Sequence, residues 1–341
     1  MSEDYLWDPS ALVDPEVQRL EHVLGRLRSV PPAPLLPKRS RWSSRFGQSA
    51  ALLAAAAAVL LIVAISLRGV RAPEQESPWQ VTSLEGRPLV GRAAVAPETR
   101  LAVGQTLVTD SVSRAQISAE TVGQIVVGPD SRVRLVVTRD RHHRLALDRG
   151  TLHAFIVAPP GQFLVDTRSA TAVDLGCAYS LHVAANGEGF LSVEAGWVGF
   201  EWRGRESFVP AGASCRTSPD LGPGSPRYDD ADTDFKEALD EVDAPGASPG
   251  RERALRVVLD RARRRDALTL WHLLPRVQPS ERDEVFAALA ARVPPPAGVT
   301  RDLVARLDRT ALERWWDTLG LGEVSFWRMW ERPLPSGAAP R

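Results

Sequence analysis

The run SAALLAAAAAVLLIVAISL at residues 49–67 constrains the chain more than any other stretch. It holds no charge, no Pro and no Gly, and nine of its residues are Leu, Ile or Val. As a helix rising about 1.5 Å per residue it is close to ~30 Å long, the thickness of a bilayer's hydrocarbon core. At roughly −0.3 to −0.6 kcal/mol for each central Leu, Ile or Val, insertion gains on the order of 3–5 kcal/mol. A buried core helix usually carries polar residues along one stripe, and here only Ser49 and Ser66 appear, at the ends. The pattern predicts one transmembrane helix. Lys38, Arg39, Arg41 and Arg45 precede it, whereas Arg68 and Arg71 are followed by Glu74 and Glu76. The positive-inside rule therefore predicts residues 1–48 in the cytoplasm and the bulk of the chain outside. A cleaved signal peptide fits less well, because its n-region would exceed the usual format of about 15–30 residues.

Composition narrows the function. The chain has 341 residues, enough for two or three domains, and zero formal net charge, which argues against a dedicated nucleic-acid binder. The two cysteines, Cys177 and Cys215, fall on the predicted outer side, and an even pair in an oxidising compartment is a disulfide candidate. The competing reading is two unpaired thiols. Two Cys with a distant His182 fall short of a zinc site.

Within the tail 1–48, Asp14-Pro15-Glu16 has the form of a helix start. Val17, Leu20, Val23, Leu24 and Leu27 follow on one face at helical spacing, and Pro31, Pro32, Pro34 and Pro37 end the helix near Ser29. One short amphipathic helix cannot bury its own stripe. Glu16 and Glu21 beside Arg19, Arg26 and Arg28 make its polar face mixed rather than basic, so a cytoplasmic protein suits it better than a membrane surface.

Residues 68–78 read as a tether. From Trp79 to Cys215 the period changes to two, with apolar runs about every ten residues between Gly, Asn, Asp and Pro turns. This predicts an all-β antiparallel domain over 79–215, a sandwich or rolled meander, since the connections are too short for crossover helices. The segment TAVDLGCAYSLHV (171–183) reads as one strand with Cys177 facing the core.

A series of motifs runs along this region. Gly104-Gln105-Thr106-Leu107 is followed by Thr109 to Ala115 and by Leu147-Asp148-Arg149-Gly150-Thr151-Leu152. Phe163-Leu164-Val165-Asp166-Thr167, Val173-Asp174-Leu175-Gly176 and Val193-Glu194-Ala195-Gly196-Trp197-Val198 come next. In this order they resemble the FecR domain, over about 101–215. The central strand departs from the family pattern, with Gly176-Cys177-Ala178-Tyr179 where Gly-Thr-x-Phe is usual, and so does the turn Thr121-Val122-Gly123-Gln124. The resemblance implies a single-span regulator in the bacterial inner membrane. Its periplasmic domain receives an envelope signal, and its inner tail holds or activates an extracytoplasmic-function sigma factor. The tail lacks the His/Cys cluster of zinc-type anti-sigma domains.

Residues 216–250 are rich in Pro, Gly, Ser and Asp and read as linkers. Over 251–332 helical stripes recur, among them Ala254, Leu255, Val258, Leu259 and Ala262, and Ser280 with Asp283 has the form of a helix cap. A small helical domain is predicted, with Trp315, Trp316, Trp327 and Trp330 either in its core or forming a binding surface, and 333–341 as a disordered tail. His142-His143 is expected at a solvated hairpin tip, and the basic run Arg261 to Arg265 on a solvated face.

No HExxH, GxSxG or GxxxxGK[ST] is present, so no catalytic residue, cofactor or metal is expected. The expected architecture is multi-domain α+β: helical tail, one transmembrane helix, antiparallel β-domain and C-terminal helices. The expected function is membrane signalling to a sigma factor. The alternative is a membrane-anchored envelope module that binds a glycan or protein without inward signalling.

Overall fold

A single long strand, β9 (His142–Ile156), joins two sheets and orders the fold. The computed structural model describes residues 78–321 apart from 140, 245 and 247–249. The first sheet runs β4 (Arg100–Leu101), β1 (Trp79–Glu85), β6 (Arg114–Ala119), β7 (Gly123–Val127), the second half of β9, β12 (Ala178–Val183), β13 (Gly189–Ala195) and β16 (Ala213–Ser218). β17 (Gly222–Pro223) and β18 (Arg227–Tyr228) both pair with β16. The second sheet runs β3 (Ala93–Ala94), β2 (Leu89–Val90), β5 (Thr106–Val108), β8 (Arg132–Arg139), the first half of β9, β10 (Phe163–Asp166), β11 (Thr171–Asp174), β14 (Trp197–Trp202) and β15 (Arg205–Pro210). Alternate residues such as Ile117, Ile125, Leu152 and Leu181 in one sheet, and Leu107, Leu135, Leu145 and Phe163 in the other, are fully buried in one apolar core.

The strand pairing corrects the expected all-antiparallel sheet. β10 runs parallel to β9, with Phe163 opposite His143 and Asp166 opposite Ala146. A parallel pair needs a crossover of a dozen or more residues. Here no helix supplies it; the second half of β9, which has left for the other sheet, is itself the crossover.

The chain changes sheets at glycines. Gly150 (φ 95°) divides β9, and a Cβ there would strike Ser131. Gly196 (φ 71°) divides 189–202 into β13 and β14, and a Cβ there would strike the Gly176 carbonyl. The stretch 171–183 is likewise two strands rather than one, because β11 ends at Asp174 in one sheet and β12 begins at Ala178 in the other.

The expected transmembrane helix has no counterpart among the described residues. None of their helices is long and apolar enough to cross a membrane, and residues 49–67 themselves lie outside the described part. The expected helix at 14–28 with Val17, Leu20, Val23, Leu24 and Leu27, as well as Trp327 and Trp330, also lies outside it.

Much of 216–250 folds, contrary to the linker reading. Beyond β17 and β18 comes α1 (Thr233–Asp243), capped by Asp232, whose side chain accepts from the amides of Asp234 and Phe235. It buries Phe235, Ala238, Leu239 and Val242, a stripe at helical spacing that the polar composition hides. α2 (Arg251–Arg261), α3 (Ala267–Leu273), α4 (Arg282–Arg292), α5 (Arg301–Ala305) and α6 (Arg309–Thr318) follow. α4 starts after Glu281 rather than Ser280 and no side chain caps it; the Glu281 carboxylate is instead held by Arg251 and accepts from the Gln278 amide. The strands and these helices lie in one compact unit, with Trp315 and Trp316 wholly buried.

The acidic and basic runs meet. Asp230 pairs with Arg263 (3.0 Å) and Arg265 (2.6 Å), and Arg261 reaches Asp232 (3.2 Å) and Asp234 (2.7 Å). The run Arg261 to Arg265 thus ties α2 and the turn after it to the start of α1. Arg261, Arg264 and Arg265 are exposed, as is His142 where β8 turns into β9, but His143 beside it turns inward. It is 5% exposed, hydrogen-bonded to Thr138, which also accepts from the Trp79 indole (3.0 Å).

Candidate functional site

The two cysteines sit apart. Leu181 of β12 faces Leu191 of β13, which faces Cys215 of β16, and Cys177 lies four residues before Leu181. Two strand spacings and four residue rises place the Cα atoms on the order of 16 Å apart. A disulfide needs about 4.4–6.8 Å. Both thiols are buried and free, which corrects the disulfide expectation. Cys177 donates to Asp174, and Cys215 Sγ lies 3.3 Å from the Gly224 carbonyl. Burial pushes the Cys215 thiol up to about 12, and burial beside Asp174 pushes the Cys177 thiol up as well. Neither is a reactive thiolate. We expect a thiol reagent such as DTNB to leave the folded protein unlabelled and to titrate two thiols once it is unfolded without reductant; a silent unfolded protein would mean a disulfide.

Asp174 occupies the sheet change. It is 1% exposed, and its carboxylate accepts from the Gly176 amide at 2.8 Å and from the Cys177 thiol. Burial raises its carboxyl to about 7. The unfolded chain titrates near ~3.9, so the native state binds the extra proton between these values. Stability from this group is complete below about pH 4 and is lost as the pH rises through about 7. At about 1.36 kcal/mol per unit the loss approaches ~4 kcal/mol. Urea titrations at pH 4 and pH 8 should show this fall relative to Asp174→Asn, which stays neutral throughout; parallel curves would contradict it.

The richest convergence of side chains lies where β15 meets α1 and the helices that follow. Trp316 packs against Trp271 (ring centroids 4.8 Å), Phe208 (5.5 Å), His272 (5.6 Å) and Trp197 (6.4 Å). His272 Nε2 accepts from the Phe208 amide at 3.0 Å, so its proton sits on Nδ1, which faces the Leu268 carbonyl at 2.8 Å. Burial holds this imidazole well below its ordinary value, and it is neutral.

Beside this aromatic seam the lining turns cationic. Arg276 donates to the His272 carbonyl, to the Glu206 carbonyl (2.6 Å) and to Ser207 Oγ (2.6 Å). Burial and the nearby Arg205 charge lower its guanidinium to about 10. Arg205 Nη2 lies 4.0 Å from Asp243, whose carboxylate also accepts from the Ser225 amide (2.5 Å) and hydroxyl (3.2 Å). Both arginines border a cleft of about 310 Å³ that Asp243, Arg251 and Leu221 also line. An adjoining hollow of about 210 Å³ contains the Arg227–Asp240 (2.5 Å) and Arg216–Asp240 (3.3 Å) pairs. Sequence reasoning missed this site because Arg205, Asp243 and Arg276 are far apart in the chain. No group of three metal-ligating side chains occurs among the described residues.

The described fold is therefore a two-sheet β-module backed by helices, with sheet changes at the glycines of the Leu147–Leu152 and Val193–Val198 motifs. Residues 105–198 match the sequence model of the family described as FecR protein, and the chain carries a FecR domain. Two crystal structures from Parabacteroides distasonis ATCC 8503, each of a protein provisionally named an anti-sigma factor, are similar in part. The first is 13% identical with a TM-score of 0.31, covering 39% of this chain and 63% of that one. The second is 12% identical with a TM-score of 0.31, covering 53% of this chain and 74% of that one. The chain thus spans less than two thirds of the length of the first. No curated protein matches.

Proposed function

We propose that the chain is a bacterial envelope regulator whose FecR domain receives a signal outside the cytoplasm and whose tail, residues 1–48, controls an extracytoplasmic-function sigma factor. The FecR match over 105–198 carries this reading. The resemblance of such domains to sensor modules of anti-sigma regulators supports it. So does the apolar stripe Val17, Leu20, Val23, Leu24 and Leu27, which a lone helix cannot bury. The protein acts by binding, and signalling requires two states whose balance the outer ligand shifts. Replacing Leu20 and Leu24 with Lys in the full chain should change transcription from a promoter that depends on the partner sigma factor by about tenfold or more, the effect of losing about 1.4 kcal/mol or more of binding. Unchanged transcription, with the variant present at normal level, would leave the envelope-binding alternative.

A further inference from the structure

In the cleft between β15, α1 and the turn after α3 the charges do not balance. Arg251 is matched by Glu281 at 2.6 Å. Arg216 and Arg227 share Asp240 in the adjoining hollow. That leaves Arg205 and Arg276 facing one carboxylate, Asp243, which two donors from Ser225 already occupy. Among the described residues no carboxylate lies within ion-pair distance of Arg276; its contacts are two carbonyls and a hydroxyl. The Nε atoms of both arginines are buried and have no hydrogen-bond partner among the described residues. Both guanidiniums are half-buried, Arg205 has only the 4.0 Å contact to Asp243, and a buried donor without an acceptor costs about 1–3 kcal/mol. Two such groups at one cavity are the complement of an anion with several acceptor oxygens.

We infer that this cleft is a binding site for a small oxyanion, carboxylate or phosphate, held between Arg205 and Arg276. The volume of about 310 Å³ lies at the lower end of ligand sites and suits a small molecule. Arg276 is fixed by its backbone acceptors and forms the floor. Arg205, with a side chain 27% exposed, forms the mouth and can turn toward an arriving anion. Asp243 sets the selectivity, since it repels an anion that does not displace it from Arg205. The site needs no sigma factor, so its failure and that of the proposed function are separable.

The test is calorimetric titration of the full chain with inorganic phosphate and, separately, succinate, with sodium chloride at matched ionic strength as the control. One-to-one binding of either probe, absent with chloride, is expected, and the probe that binds distinguishes phosphate from carboxylate as the source. Arg205→Gln should weaken it at least tenfold while still unfolding in one cooperative urea transition, because Arg205 lies at the rim. Arg276→Gln should abolish it, but that variant can also unfold, so Arg205→Gln decides. No binding of either probe at millimolar concentration, or equal binding by Arg205→Gln, overturns the inference.

Discussion

Replacing Trp316 with alanine should destabilise the protein by about 3–5 kcal/mol, the usual cost of emptying a buried Trp site. Trp316 is wholly buried and touches two structural layers at once: Phe208 and Trp197 from the strands, Trp271 and His272 from α3. Its loss opens a cavity that the stiff neighbouring rings cannot collapse into. It also loosens His272, which satisfies the buried Phe208 amide in β15. Urea unfolding followed by circular dichroism should therefore give a lower midpoint with helical and sheet signals still lost together. Loss of the helical signal alone, with the sheet transition unmoved, would mean that the helices are an appendage.

Alanine at Gly150 should be almost as damaging, at about 3 kcal/mol or more. The backbone there has φ 95°, where an L side chain is strained, and the new methyl would overlap Ser131. Strain alone costs on the order of 1–2 kcal/mol. The overlap adds to it, because Ser131 is fixed. Its hydroxyl binds the Pro129 and Thr151 carbonyls and accepts from the Thr151 amide at 2.9 Å. Gly91 provides the comparison: φ is 64° and nothing lies within 4 Å of the added methyl, so Gly91→Ala should show the strain alone. Equal destabilisation of the two variants would show that the approach of Ser131 to β9 is not what glycine serves.

These residues also show what was legible beforehand. Alternation of apolar residues placed most strands and the core positions on β12, where Tyr179, Leu181 and Val183 are buried. The glycines of the two family-like motifs stood out by type. Their task did not, because a strand that changes sheets has the same local pattern as a hairpin turn. The parallel β9–β10 pair was hidden for the same reason, since no helix announces the crossover. Composition misled at 216–250, where Phe235, Ala238, Leu239 and Val242 form a stripe among Pro, Gly and Asp. The Cys pair looked bridgeable by count alone, and only register puts a strand between them. The arginine cleft joins residues 205, 243 and 276, and no local pattern could have assembled it.

The account is tested most directly by co-purification. The full chain, cross-linked in the cell and isolated through a tag, should carry a sigma factor with it, and the Leu20→Lys, Leu24→Lys double variant should not. Recovery of the same sigma factor with both proteins, or of none with either, would contradict a regulator that works through the stripe on its amino-terminal tail.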